Sequence, residues 1–167
     1  MHNMDIKDTL VGADVVLKEK NQVEILTSGI SMRPMLREHR DIVIVERVNR
    51  PLKVNDVPLY RRKGCDKLVL HRIIKLKKDG SMVIRGDNLL NNEYNVKPED
   101  IVGVLKAFYR EGKYYDCQKS IKYKLYIFYN RSTFWCRLLW RKHLLPTLGK
   151  CTLLRKIKHA IFPKKQK

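Results

Sequence analysis

Apolar residues recur along this chain with two different periods. Residues 5–19 place Ile6, Leu10, Ala13 and Leu17 at helical spacing, which predicts a short amphipathic helix weakened by Gly12. From residue 22 the apolar residues come in short, β-branched runs. NQVEILTSG predicts a strand, and DIVIVERV (41–48) a better one with buried positions. PLKVNDVPLYRR follows, with a turn near Asn55–Asp56. KLVLHRIIKL (67–76), SMVIRG (81–86) and IVGVLKAFY (101–109) predict three further strands, and EGKYYD a closing hairpin turn. Many short strands and few helices imply an irregular, mainly β domain over residues 1–116.

The pattern changes again after residue 116. Residues 121–146 are rich in aromatics and bases and predict helix. In residues 151–162, Leu153, Leu154, Ile157, Ala160 and Ile161 share one face, with Arg155, Lys156, Lys158 and His159 largely on the other. That is a basic amphipathic helix bracketed by Pro146 and Pro163. Residues 117–167 therefore form a helical C-terminal appendage.

Charge sharpens this division. Of the chain's 36 Lys and Arg and 17 Asp and Glu, residues 1–116 hold 22 bases and all 17 acids, a net of +5. Residues 117–167 hold 14 bases and no acid, which completes the net charge of +19. An acid-free segment of this length predicts an anionic partner, either a lipid surface or a nucleic acid. No stretch approaches the roughly 20 apolar residues of a membrane-spanning helix. The N-terminus MHNMDIKDTL is polar and acidic, unlike a secretory signal. Cys65, Cys117, Cys136 and Cys151 form no C-x-x-C pair and have no histidine at ligand spacing. They are expected to be free thiols in a reducing, cytoplasmic compartment, with no metal and no cofactor.

Three polar features punctuate the β region: Ser31 in GISMRP, His71 inside the apolar run LVLHRII, and Asp87 in RGDN. A serine hydroxyl is a poor nucleophile until a base removes its proton. Neutral imidazole suits that task, with a reference pKa of about 6.5. A carboxylate can then orient the imidazole and stabilise its charged form. Taken singly, each residue has an ordinary reading: a turn serine, a core histidine, and an aspartate capping its own turn.

Together the boxes carry more. GISMRPML, the strand DIVIVERV, then LVLHRI and RGDN resemble the signal peptidase and self-cleaving repressor superfamily of serine peptidases. The resemblance covers about residues 22–110. It implies an irregular signal-peptidase-like β-fold with Ser31 as nucleophile, His71 as general base and Asp87 orienting it. His71 stands where most bacterial members have Lys, which is similar to the Ser-His branch of endoplasmic-reticulum and archaeal type. Gly29, Met32 and Pro34 belong to the nucleophile box and are expected at the oxyanion and substrate-binding side. Many relatives carry a hydroxyl two positions before the nucleophile. Here that position is Gly29.

The implied activity is a serine endopeptidase that removes leader or signal segments from peptides or preproteins, with small residues just before the cut. Two departures qualify it. The N-terminal membrane span of most signal peptidases is missing, and the basic segment 117–167 can replace it by lying on anionic lipid. Trp135, Trp140, Phe134 and several Tyr would sit at headgroup level there, peripherally at the inner face of the membrane. Packing of residues 121–146 on the β domain is the other reading of those aromatics. Relatives also often carry a second acid after the Gly-Asp-Asn box, and here only Glu93 is available as a fallback orienter. A DNA-associated, self-cleaving regulator is the competing function, since phosphates attract the same charge. Against it, only 30 residues precede Ser31, and no Ala-Gly or Cys-Gly bond lies among them. A non-catalytic binding module of the same fold is the third.

Overall fold

A computed structural model describes residues 13–62, 64 and 67–140. Predictions on residues 5–12, on Cys65 and Cys151, and on the helix at 151–162 lie outside the described residues. The chain divides into two compact units, Met1–Ile127 and Phe128–Lys167. This boundary falls later than the one at residues 116/117 read from charge. The reason is that the first turns of the appendage belong to the β unit, where Tyr123 is buried and Tyr126 and Ile127 pack on the core.

The first unit is mainly β. Helix α1 (Ala13–Lys20) leads into β1 (Gln22–Leu26) and β2 (Ile42–Glu46). Then come β3 (Pro58–Arg61), β4 (Leu68–Leu70), β5 (Arg72–Leu76), β6 (Met82–Arg85) and β7 (Glu93–Val96). A 3-10 turn, Pro98–Asp100, precedes β8 (Ile101–Arg110) and β9 (Lys113–Asp116). All pairings are antiparallel. One sheet runs β1-β2-β8-β3-β4, with β9 also on β8, and the other runs β5-β6-β7. The long β8 is the spine of the first sheet. Its register shifts opposite Ile44/Val45 and opposite Leu59/Tyr60 let it twist between short partners. The β8–β9 hairpin turns through Glu111 and Gly112, both at positive φ (52° and 73°), as a tight antiparallel turn requires.

Two apolar clusters form, the second of which joins Tyr60 of the first sheet to the β5-β6-β7 sheet. Val43, Val45, Leu59, Leu105 and Phe108 meet Leu17 of α1 and Met32, Met35 and Leu36 of the nucleophile box. Tyr60, Ile73, Met82, Ile84 and Val96 form the second cluster. Gly103 of β8 packs tightly beneath α1: a Cβ there would stand 2.7 Å from Val45 Cγ1, 2.8 Å from the Glu46 carbonyl oxygen and 3.1 Å from Leu17 Cδ1.

One predicted strand divides in two. The run 67–76 reads as continuous, yet the ladder breaks at His71: β4 pairs with β3 in the first sheet and β5 with β6 in the second. His71 is the hinge residue between the sheets and is 3% exposed. β7 was not expected from the sequence, because LLNNEYN has no clear apolar alternation.

After β9 come α2 (Ile121–Ser132) and α3 (Phe134–Leu139). No helix among the described residues is long and apolar enough to cross a membrane.

Candidate active site

The GISMRPML box, expected to hold the nucleophile, is a short loop anchored by its apolar residues. Met32, Met35 and Leu36 fall at helical spacing on one side and are buried, and the Leu36 N–H donates to the Met32 carbonyl at 3.0 Å. Met32 therefore anchors the loop in the core and is not part of an accessible substrate surface. Ser31 is half-buried and Pro34 is exposed, following a cis Arg33–Pro34 peptide. Gly29 has φ +83°, which a side chain would strain, and its N–H donates to Glu38 Oε1 at 2.9 Å. The glycine is thus explained by backbone conformation, and its N–H already has a carboxylate partner.

The loop is closed at its base. Thr27 Oγ1 lies 2.6 Å from the Arg37 carbonyl and 2.8 Å from the Asp41 carbonyl, which share its single hydroxyl proton. The buried Asp41 carboxylate accepts from the Arg37 backbone N–H (3.0 Å), the Arg37 guanidinium and Arg110 Nε (3.1 Å). Burial alone would raise the Asp41 pKa. The hydrogen bonds from Arg37 and Arg110 outweigh it and hold the carboxyl below its ordinary range. Arg110 also donates to the carbonyls of Pro34 and Met35. The end of β8 is thereby fastened to the nucleophile loop.

The RGDN turn lies against this loop. The Asn88 N–H donates to the Ser31 carbonyl at 2.8 Å, and Asn88 Nδ2 donates to the Ile30 carbonyl at 3.1 Å. Gly86 sits between the two chemical residues. A Cβ there would be 2.7 Å from Ser31 O and 3.1 Å from His71 Nε2. Ser31 and His71, 40 residues apart in sequence, are therefore neighbours across one glycine. Their contact runs through this backbone packing, with no hydrogen bond joining Ser31 Oγ to His71 Nε2.

The other edge of His71 faces Glu93. Glu93 Oε1 is 3.1 Å from His71 Nδ1 and 3.1 Å from Arg62 Nη2, at ion-pair distance without ideal hydrogen-bond alignment. Tyr60 OH donates to Glu93 Oε2 at 2.8 Å and lies 3.3 Å from His71 Nδ1. A carboxylate at Nδ1 favours the tautomer with its proton there and leaves Nε2 as the acceptor. Burial pushes the His71 pKa down, against the pull of Glu93 upward, and the net direction is down. The shift favours the neutral imidazole, the form in which a histidine can accept a proton.

Asp87 has a different partner from the one expected. Its Oδ1 accepts from Arg72 Nε at 2.8 Å and its Oδ2 from Arg72 Nη2 at 2.7 Å, with Tyr126 OH at 3.0 Å. Arg72 also reaches the Asn55 carbonyl, Tyr123 OH and Met35 Sδ. Both members of this ion pair are buried. Burial opposes the Arg72 charge, and Asp87 more than restores it, so the guanidinium pKa is raised. The carboxylate at His71 Nδ1 is therefore Glu93, and Asp87 holds the turn that carries Gly86 and Asn88. Glu93, the fallback acid of the sequence, is the carboxylate beside Nδ1; β7 begins there and pairs it with Ile84.

Sequence reasoning did not find Tyr60, Arg62, Arg72, Gly86 or Tyr126. Arg72 and Gly86 had a signal, since each adjoins a named residue in its box. Tyr60, Arg62 and Tyr126 had none, because only the fold brings them in. Among the described residues, no group of three or more His, Cys, Asp or Glu is placed to hold a metal ion. Comparison with known proteins returned no match: no family model, no curated protein and no solved structure fits this chain. The functional reading therefore rests on the chain's own residues.

Proposed function

We propose that this chain is a serine endopeptidase that removes leader or signal segments from peptides, working peripherally on the inner face of a membrane. The observation that carries the reading is the packing of Ser31 O and His71 Nε2 against the same Gly86, with Glu93 behind the imidazole. Ser31 Oγ attacks the scissile carbonyl while His71 Nε2 takes its proton. His71 then gives that proton to the leaving amine as the C–N bond breaks, and water hydrolyses the acyl-enzyme by the same base. Glu93 steadies the imidazolium formed in each step. The Ser31 backbone N–H is the donor assigned to the oxyanion. The likeness of the GISMRP, LHRI and RGDN boxes to signal peptidases supports the substrate class.

The membrane part of the reading has separate support. The acid-free segment 117–167 suits anionic lipid. In the second unit Phe128, Tyr129, Trp135, Leu139 and Trp140 are all exposed, Phe128 by 72%. Exposed aromatic and aliphatic side chains among Arg and Lys are the composition of an interfacial segment.

The test is cleavage of a peptide library carrying small residues, by wild type and Ser31→Ala, with and without anionic vesicles, read by mass spectrometry. Cleavage by wild type alone supports the peptidase, and stimulation by vesicles supports the membrane site. Equal cleavage by Ser31→Ala overturns the assignment of the nucleophile. DNA binding with a steep salt dependence and no cleavage would favour the regulatory alternative.

A further inference from the structure

Helix α2 meets the β unit through two tyrosine hydroxyls that engage one buried ion pair. Tyr126 OH donates to Asp87 Oδ2 at 3.0 Å. Arg72 Nη1 donates to Tyr123 OH at 3.0 Å, and the Arg72 guanidinium stands 5.6 Å from the Tyr123 ring centre. A buried tyrosine can satisfy its hydroxyl in many ways, so the choice of partners matters. Arg72 directly follows His71, and Asp87 lies between Gly86 and Asn88. Gly86 is the residue packed between Ser31 and His71, and Asn88 is the residue bonded to the Ser31 and Ile30 carbonyls. The helix therefore grips Arg72, next to His71, and Asp87, which lies between Gly86 and Asn88.

We propose that Tyr126 is a positioning residue for the Ser31–His71 site: its hydroxyl fixes Asp87, so that the turn at residues 86–88 stays closed on the nucleophile loop. The appendage, which composition sets apart from the catalytic domain, is on this view part of the site's support. Tyr123 does the same from the Arg72 side. The catalytic consequence rests on the peptidase reading above; the mechanical one does not.

Two readouts separate these. The first is amide hydrogen exchange in the full chain for wild type, Tyr126→Phe, Tyr123→Phe and an exposed control, Lys124→Ala. In Tyr126→Phe the Asn88 amide is expected to exchange about tenfold faster, the loss of one hydrogen bond to a charged group, while strands β2 and β8 keep their protection. Lys124→Ala should leave Asn88 unchanged. The second is the rate of Ser31 labelling by a fluorophosphonate, measured also in Asn88→Ala and in the double variant. If Tyr126 acts through the turn, the two substitutions together cost less than the product of their separate effects. Unchanged Asn88 exchange in Tyr126→Phe overturns the proposal, whatever Tyr123→Phe does. So does loss of protection spread evenly over the whole unit, or strictly multiplicative labelling effects. If Ser31 in wild type fails to label at all, the peptidase reading falls, and the exchange data still decide whether Tyr126 closes the turn.

Discussion

Glu93 Oε1 stands 3.1 Å from Nδ1 of the buried His71, and the same carboxylate accepts the Tyr60 hydroxyl proton through Oε2 at 2.8 Å. The imidazole is thereby held from behind while its Nε2 edge faces Gly86 and Ser31. Asp87, the acid that the Gly-Asp-Asn box offers first, is committed to Arg72. Two carboxylates six residues apart thus have separable tasks.

That division predicts opposite phenotypes. Glu93→Gln keeps the volume and one hydrogen-bonding edge but loses the charge that stabilises the imidazolium and selects the tautomer. Peptide cleavage is expected to fall by about a hundred- to ten-thousandfold with little change in melting temperature. Asp87→Asn leaves Arg72 buried without its counter-charge, which costs about 3–5 kcal/mol of stability. Thermal melting of the two variants beside their kcat values checks both. A heat-stable Asp87→Asn would show that Arg72 is satisfied by its other partners.

The pH profile follows from the state of His71. On the proposed peptidase reading, His71 acts as the base when neutral. Burial lowers its pKa, so the neutral form persists further into acid than for a free histidine, whose pKa is about 6.5. The acid limb of kcat/KM is expected below that value. Glu93 raises the His71 pKa, and removing its charge takes away that support. In Glu93→Gln the acid limb should therefore move to still lower pH while the plateau falls. A limb that moves upward would mean that Glu93 is not the group facing the imidazole in solution.

Gly86→Ala tests the packing of the site directly. The added Cβ would lie 2.7 Å from the Ser31 carbonyl oxygen, a backbone atom that cannot rotate away, and 3.1 Å from His71 Nε2. Overpacking of this kind costs about 1–3 kcal/mol. The larger effect should be on catalysis, because the clash pushes apart the two groups that must meet. Labelling of Ser31 by a fluorophosphonate is expected to fall at least tenfold, at a protein concentration and temperature where circular dichroism still reports a folded chain.

Much of this arrangement can be read in the sequence, for identifiable reasons. The strands in DIVIVERV, SMVIRG and IVGVLKAFY are legible because β-branched residues and flanking turns mark their ends. The GISMRPML box is legible as a motif, but the burial of Met32 is not: the box places it on the substrate side, and only the fold turns it into the core with Met35 and Leu36. The break at His71 is not legible, since LVLHRII is an unbroken apolar run and only the separate partners of β4 and β5 divide it. The choice between Asp87 and Glu93 depends on which way each side chain points after the second sheet forms. Arg72 decides it by taking Asp87, and an arginine beside a histidine in a strand carries no mark of being buried. Tyr126 is hidden by its surroundings: among Tyr123, Tyr129 and Lys124 it reads as one more residue of an interfacial helix.

The second unit gives the last prediction. Trp135 and Leu139 are exposed four residues apart, Trp140 beside them is exposed too, and no acid occurs anywhere in residues 117–167. If this surface meets lipid, binding has an apolar part and an electrostatic part that respond to different changes. Each base near an anionic surface contributes about 1 kcal/mol and is screened by salt over a Debye length of about 10 Å at 0.1 M. Co-sedimentation of the full chain should therefore be strong with phosphatidylserine-containing vesicles, weak with phosphatidylcholine alone, and reduced at 0.5 M salt. Trp135→Ala with Trp140→Ala should weaken it at both salt concentrations, because apolar burial is not screened. Binding that ignores the tryptophans but vanishes in salt would mark a purely electrostatic surface, one open equally to nucleic acid.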